Sequence, residues 1–166
     1  MKYRILDVNQ RDLNYIFKLN QKYIPMVSSL SYEQLSWFFD NSVYFKVVKC
    51  NYRIIGFIIA LNPSLNYNSD NYNWFNNRYN SFIYIDRIIV EENNHGKGIG
   101  SALYNDLILF SKNITNRLTC EVNVKPLNRR SINFHKRFNF LEVGREKLEK
   151  IEKKVSYLVL NHYTKK

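Results

Sequence analysis

The stretch that decides the fold runs Ile85-Asp86-Arg87-Ile88-Ile89-Val90-Glu91-Glu92-Asn93-Asn94-His95-Gly96-Lys97-Gly98-Ile99-Gly100-Ser101-Ala102-Leu103-Tyr104. An apolar run ending at Val90 enters a turn with glycine at every second position, and an amphipathic segment follows at once. That order predicts strand, glycine turn, helix. Glycines let backbone N–H groups approach a ligand without obstruction by Cβ. The first helical turn leaves N–H groups unpaired, and the helix dipole favours negative charge there. Gly96–Ser101 is therefore expected to cradle a phosphate group, with Lys97 adding a charged contact. The spacing Gly-x-Gly-x-Gly differs from the dinucleotide fingerprint Gly-x-Gly-x-x-Gly, and the triphosphate loop Gly-x-x-x-x-Gly-Lys-Ser/Thr is absent.

Working outward, Phe82–Val90 reads as the strand and Gly98–Lys112 as the helix. Upstream, Tyr3–Asp7 reads as a short strand, and Arg11–Tyr23 carries Leu13, Ile16, Phe17 and Leu19 at helical spacing until Pro25 stops it. Ser31 followed by Gln34 is a capping box opening a second helix. Val43–Cys50 and Arg53–Leu61 read as strands joined tightly at Asn51-Tyr52. Downstream, Arg117–Val122 reads as strand, Arg129–Arg137 as a short helix, and Glu142–Lys147 and Val155–Leu160 as closing strands. The fold class expected is α+β, a twisted mixed sheet of about six to seven strands flanked by helices on both faces.

The 166 residues fit one domain, 1–166. At 45% hydrophobic and 16% aromatic, the chain is not of the disordered class. Its longest nearly apolar run, Ile54 to Leu61, is too short to span a bilayer. Two cysteines make no disulfide framework, and no His/Cys cluster has zinc spacing, so neither a membrane partner nor a metal is expected. With no secretory pattern in the first twenty residues, a cytoplasmic location is expected.

The net charge of +11 is uneven: residues 1–111 carry 11 basic and 9 acidic side chains, residues 112–166 carry 14 and 5. A basic block points to an anionic partner, yet helix-turn-helix, zinc-finger and RNP patterns are all missing, so nucleic acid is not the expected partner. The segment Asn62–Asn80 holds eight asparagines interleaved with Tyr67, Tyr72, Trp74, Phe75 and Tyr79. It reads either as a lid over a cleft or as a surface insertion whose aromatics fold back onto the body.

The turn His95-Gly96-Lys97-Gly98-Ile99-Gly100 resembles the Arg/Gln-x-x-Gly-x-Gly/Ala acetyl-CoA loop of the GNAT N-acetyltransferases. Asn128-Arg129-Arg130-Ser131-Ile132-Asn133-Phe134-His135-Lys136-Arg137-Phe138-Asn139-Phe140 is similar to that family's Asn-x-x-(Ala/Ser)-x-x-x-Tyr-x-x-x-Gly-Phe segment. Leu19-Asn20, Ile24-Pro25, Ser28 and Asn71-Tyr72-Asn73-Trp74-Phe75 further resemble a subgroup of acetyltransferases with no assigned substrate. Three departures stand out: His95 replaces Arg or Gln, Asn139 replaces glycine, and His135 replaces tyrosine. Asparagine tolerates left-handed backbone angles, so the turn at Asn139 is expected to survive.

The resemblance implies a GNAT fold and direct transfer of acetyl from acetyl-CoA to an amine acceptor. It implies that Ile88, Ile89 and Val90 offer backbone groups to pantetheine, that His95–Ser101 hold the pyrophosphate, and that the Asn128 side chain holds a cofactor amide or hydroxyl. An amine must be neutral to attack, and the departing thiolate needs a proton. Glu121 is the first candidate base and Asp86 the second, Asp86 reading equally as a structural partner of Arg87. His135, at the tyrosine position, is the candidate acid. Tyr72, Trp74 and Tyr79 are candidates for an aromatic wall at the acceptor. A homodimer is compatible with the sequence. The alternatives are an acetyl-CoA-binding module without turnover and a basic nucleic-acid-binding protein.

Overall fold

A computed structural model describes residues 2–148 and 152–162. In chain order the elements are β1 (Arg4–Asp7), α1 (Leu13–Gln21), α2 (Tyr32–Asn41), β2 (Tyr44–Cys50), β3 (Arg53–Leu61), α3 (Asp70–Asn76), β4 (Ile83–Val90), α4 (Ile99–Ser111), β5 (Arg117–Lys125), α5 (Arg129–Arg137), β6 (Leu141–Leu148) and β7 (Lys153–Asn161). Single 3₁₀ turns at Gln10–Asp12 and Glu92–Asn94 precede α1 and the glycine turn. The strands follow the order β1-β2-β3-β4-β5-β7-β6 in a mixed, mostly antiparallel seven-stranded sheet. This is the mixed α/β class read from the sequence, with strand number at the upper end of the expected range. No helix among the described residues is long and apolar enough to cross a membrane.

The chain divides into two compact units. One comprises the chain up to Leu61 together with Ile85–Phe110, the other Asn62–Tyr84 together with the chain from Ser111 onward. In the first unit β1, β2 and β3 pair antiparallel, and the β2–β3 hairpin closes through Asn51 and Tyr52 at φ 48 and 64. Two successive positive φ values match the right-handed twist of the flanking strands, which is why so tight a link works here. Its core is built from Ile16 and Leu19 of α1, Leu35 and Phe38 of α2, Val47, Phe57, Ile58 and Ile59 of the hairpin, and Leu103, Tyr104 and Leu107 of α4, all at most 2% exposed. The predicted capping box is present: the Gln34 amide donates to Ser31 Oγ at 3.1 Å, and the Ser31 amide donates to Gln34 Oε1 at 2.9 Å.

Strand β3 is buried over eight of its nine residues, and Gly56 lies where it meets β4. A Cβ there would sit 2.8 Å from the Ile89 carbonyl oxygen, a backbone atom that no side-chain rotation can move aside. Gly56→Ala is therefore expected to force the strands apart and cost about 1–3 kcal/mol, lowering Tm by roughly 2–12 °C in a domain of this size. Thermal unfolding followed by circular dichroism measures it, and an unchanged Tm would contradict the close approach.

In the second unit β5 pairs in parallel with the start of β4 at Ile83↔Leu118 and Tyr84↔Thr119, and antiparallel with β7, which pairs antiparallel with β6. The core here is strongly aromatic: Tyr72, Phe75, Phe82, Tyr84 and Tyr157 are at most 1% exposed. The Asn62–Asn80 segment departs from the loop expected, because α3 forms within it. Ser69 caps that helix, its Oγ accepting from the Tyr72 amide at 3.3 Å. Seven residues rich in asparagine have little helix propensity of their own, so burial of Tyr72 and Phe75 at i, i+3 is what holds them helical. Asn139 adopts φ 60, the left-handed turn expected after α5.

Candidate functional site

In the first unit the turn after β4 has the geometry an anion requires. Gly96 and Gly98 take φ +75 and +79, and a Cβ added at either would meet nothing within 4 Å. The glycines are thus needed for backbone angle rather than for packing, and their open side is free of protein atoms. Alternating backbone signs turn successive N–H groups toward one concavity. Helix α4 starts at once, its first internal bond running from the Ala102 amide to the Gly98 carbonyl at 2.9 Å. The amides of Ile99, Gly100 and Ser101 precede that bond, so they belong to the unsatisfied first turn. Lys97 is exposed, its Nζ donating to Asn94 Oδ1 at 3.3 Å. The donor set therefore fits a diphosphate.

Of the other residues expected at the cofactor in this unit, Ile89 is buried while Ile88 and Val90 are half-buried. His95 does not reach toward the open side: its Nε2 lies 2.6 Å from the Val90 carbonyl oxygen and donates to it. Asp86, the second candidate base, takes the structural alternative. Its side chain is 4% exposed and its Oδ2 accepts from Arg87 Nε at 2.6 Å. Arg87, equally buried, also donates through Nη1 to Asn20 Oδ1 at 2.8 Å and through Nη2 to Ser28 Oγ at 3.3 Å. Each charge of this pair offsets the cost of burying the other, so the contact fits a structural role for the carboxylate.

In the second unit Glu121 stands half-buried on β5, directly opposite Tyr157 on β7. Its Oε2 accepts from the Tyr84 hydroxyl at 2.8 Å. Tyr84 is itself fixed in the core between Tyr72 and Phe75, at ring distances of 5.4 and 5.9 Å. The carboxylate is thus oriented by a rigid donor. Sequence reasoning missed Tyr84 in this role, since nothing in a strand's own pattern tells which residue it will meet on the next strand. Asn128 caps α5, its Oδ1 accepting from the Ser131 amide at 3.0 Å. That bond fixes the amide plane and leaves Nδ2 as the group suited to a ligand.

His135 departs from the acid expected of it. The residue is 3% exposed, and Nδ1 donates to the Ser131 carbonyl at 2.8 Å. Phe134 and Phe140 pack edge-on against the ring. Burial pushes its pKa down to about 4, against a smaller upward pull from the Ser131 carbonyl. At neutral pH the ring is therefore uncharged, with its one hydrogen committed to the helix. The consequence for stability has a definite sign. The unfolded histidine binds a proton below about 6.5 and the folded one only below about 4. Between those values the unfolded state holds more protons, so stability is full above the upper limit and falls as pH drops through the window. His135→Phe should flatten that part of the stability-against-pH curve in urea unfolding, and a parent curve already flat from pH 6.5 to 4 would contradict the burial.

The aromatic wall is also corrected. Tyr72 is wholly buried, its hydroxyl donating to the Asn62 carbonyl at 2.8 Å and accepting from the Leu65 amide at 2.8 Å. Trp74 is stacked on Tyr157 at 4.2 Å and carries the Arg78 guanidinium 3.9 Å from its ring centre. Gly144 makes that stack feasible, because a Cβ there would lie 2.6 Å from Trp74 Cζ2. Tyr79 stacks on Phe75 and bears Arg117 at 4.2 Å. The faces a cationic acceptor would use are already taken by the protein's own rings and arginines, so the insertion folds back on the body.

The model of the acetyltransferase (GNAT) family matches residues 13–140. Among solved structures, Ard1 from Thermoplasma volcanium superposes with a TM-score of 0.80 at 15% identity, covering 99% of this chain and 100% of that one. Arabidopsis thaliana NAA60 in complex with a bisubstrate analogue gives 0.78 at 19%, covering 99% and 100%. The ribosomal-protein-S18-alanine N-acetyltransferase of Escherichia coli gives 0.74 at 14%, covering 99% and 97%. No curated protein matches.

Proposed function

The chain belongs to the acetyltransferase (GNAT) family, and from that premise we propose that it transfers acetyl from acetyl-CoA directly to a primary amine of a small molecule or peptide. The observation that carries this reading is the turn at Gly96 and Gly98, whose positive φ angles and open side present a row of amides ahead of α4. Arabidopsis NAA60 is known in complex with acetyl-CoA, at a TM-score of 0.77 and 18% identity to this chain, which supports the same cosubstrate here.

In this reading Gly96–Ser101 hold the pyrophosphate, Lys97 adds charge, Asn128 Nδ2 meets a cofactor carbonyl or hydroxyl, and the backbone of Ile88–Val90 receives the pantetheine arm. Glu121, oriented by Tyr84, takes the proton of the incoming ammonium directly or through water. The amine nitrogen then bonds to the acetyl carbon, its remaining surplus proton passes to solvent, and the carbon–sulfur bond breaks as the thiolate leaves. Because His135 is neutral and bonded to its own helix, the thiolate takes its proton from solvent. The expected absence of a resident metal belongs to the same proposal, as do a cytoplasmic location and a single domain.

Thiol release on mixing the protein with acetyl-CoA and a panel of peptide and small-molecule amines tests the reading. Release dependent on a particular amine, with acetylated product found by mass spectrometry, supports it. CoA binding without release for any amine would favour the non-catalytic module, the reading toward which the buried His135 leans.

A further inference from the structure

A turn that binds phosphate through backbone amides does so best when its shape is set before the ligand arrives, since ordering it on binding subtracts from affinity. Two side-chain clasps hold this one. The first is His95, whose Nε2–H donates to the Val90 carbonyl at 2.6 Å and ties the mouth of the turn to the last residue of β4. Its backbone is extended, φ −65 and ψ 150, and the edge of its ring meets Tyr23 at 6.4 Å. The second is Glu91, the residue between strand and turn. Its Oε1 accepts from Arg53 Nη2 at 2.5 Å and from the Tyr15 hydroxyl at 3.5 Å, and its Oε2 accepts from Asn94 Nδ2 at 3.3 Å. Asn94 in turn accepts from Lys97 Nζ at 3.3 Å. A carboxylate so near an anion site would oppose the ligand on charge alone. Here Arg53 offsets that charge, and the two oxygens brace the turn from Arg53 to Lys97.

We propose that His95 and Glu91 are positioning residues that pre-form the phosphate-binding turn, and that neither touches the phosphates. This rests on the acetyl-CoA reading of the turn. It gives His95 a part different from that implied by its place in the family pattern: the ring replaces a charged ligand with a brace, and the backbone amides carry the recognition.

The test is CoA binding by isothermal titration calorimetry, with steady-state kinetics beside it, on the parent and on His95→Phe, His95→Gln and Glu91→Gln, all first checked for folding by circular dichroism. His95→Phe keeps the ring and removes the donor, and should weaken CoA binding about 3- to 10-fold, the worth of one hydrogen bond. KM for acetyl-CoA should rise in parallel while kcat at saturation stays within about twofold. His95→Gln, which retains an amide donor, should recover most of the affinity. The slope of log Kd against log salt should not change, because no phosphate contact is lost; a directly ligating His95 would lower it. Glu91→Gln should weaken binding in the same direction. If the parent binds CoA and all three variants bind equally well, or if the salt slope drops in His95→Phe, the proposal fails. If the parent itself binds no CoA, the acetyl-CoA reading fails first.

Discussion

Glu121→Gln is expected to lower kcat by about 10²- to 10⁴-fold, the usual worth of a positioned general base. KM for acetyl-CoA should move by no more than about twofold, since the carboxylate acts on the acceptor's proton and not on cofactor binding. Glutamine is the right replacement because its shape and its acceptor oxygen are those of glutamate, so Tyr84 still has a group to donate to where it now meets Oε2 at 2.8 Å. Packing is thereby left alone while the ability to take a proton is removed. The loss should shrink as pH rises and the acceptor amine deprotonates by itself, because a neutral amine no longer needs the base. Tyr84→Phe separates orientation from chemistry: it should lower kcat less than Glu121→Gln does, and combining the two should cost little more than Glu121→Gln alone, as for residues acting as a unit. A Glu121→Gln variant with parental kcat across the pH range would remove Glu121 from the mechanism.

The elements that could be read from sequence are those in which local pattern and tertiary demand agree. Strand β3 and helix α5 have the bounds expected of them, Arg53–Leu61 and Arg129–Arg137. In β3 the unbroken apolar run is itself the signal, and in α5 the Asn128 cap marks the start. The glycine turn was legible because positive φ selects glycine so strongly that spacing alone carries the backbone shape. Helix α3 was not, because its helicity comes from burying Tyr72 and Phe75, not from any preference of Asp70–Asn76 itself. The same limit governs the site. An aromatic residue reads alike whether its face is open or stacked, so Trp74 against Tyr157 and Tyr79 beneath Arg117 could not be told from an acceptor wall. His135 lies on the helix that the sequence predicts, yet a histidine's chemistry is set by its surroundings, and burial against Phe134 and Phe140 keeps it neutral. For Asp86 a strand pattern fits a base and a structural ion pair alike, and only the fold brings its carboxylate to 2.6 Å from its neighbour Arg87.

That contact leads to the largest stability effect expected in the molecule. Asp86 and Arg87 are each 4% exposed, so their charges interact with little screening and would be costly to leave apart. Arg87→Met keeps the length and apolar stem of the side chain but leaves a buried carboxylate without its guanidinium. Asn20 Oδ1 and Ser28 lose a donor at the same stroke. The expected cost is about 3–5 kcal/mol, or a fall in Tm of roughly 6–20 °C for a domain of this size. The double variant Asp86→Leu/Arg87→Met removes both charges, and an apolar pair of similar volume often matches or exceeds the ion pair it replaces. It should therefore recover most of the stability lost by the single variant, giving a large favourable coupling in the double-mutant cycle. What the double variant should not recover is the anchoring of the α1–α2 connection, because Asn20 lies in the last turn of α1, Ser28 lies within the connection, and Arg87 is bonded to both. Amide exchange in residues 22–30 should then be faster in the double variant than in the parent, even where global stability is equal. Equal exchange at equal stability would mean that the pair serves packing alone, and a single variant within about 1 kcal/mol of the parent would mean that the buried charge is relieved in some other way.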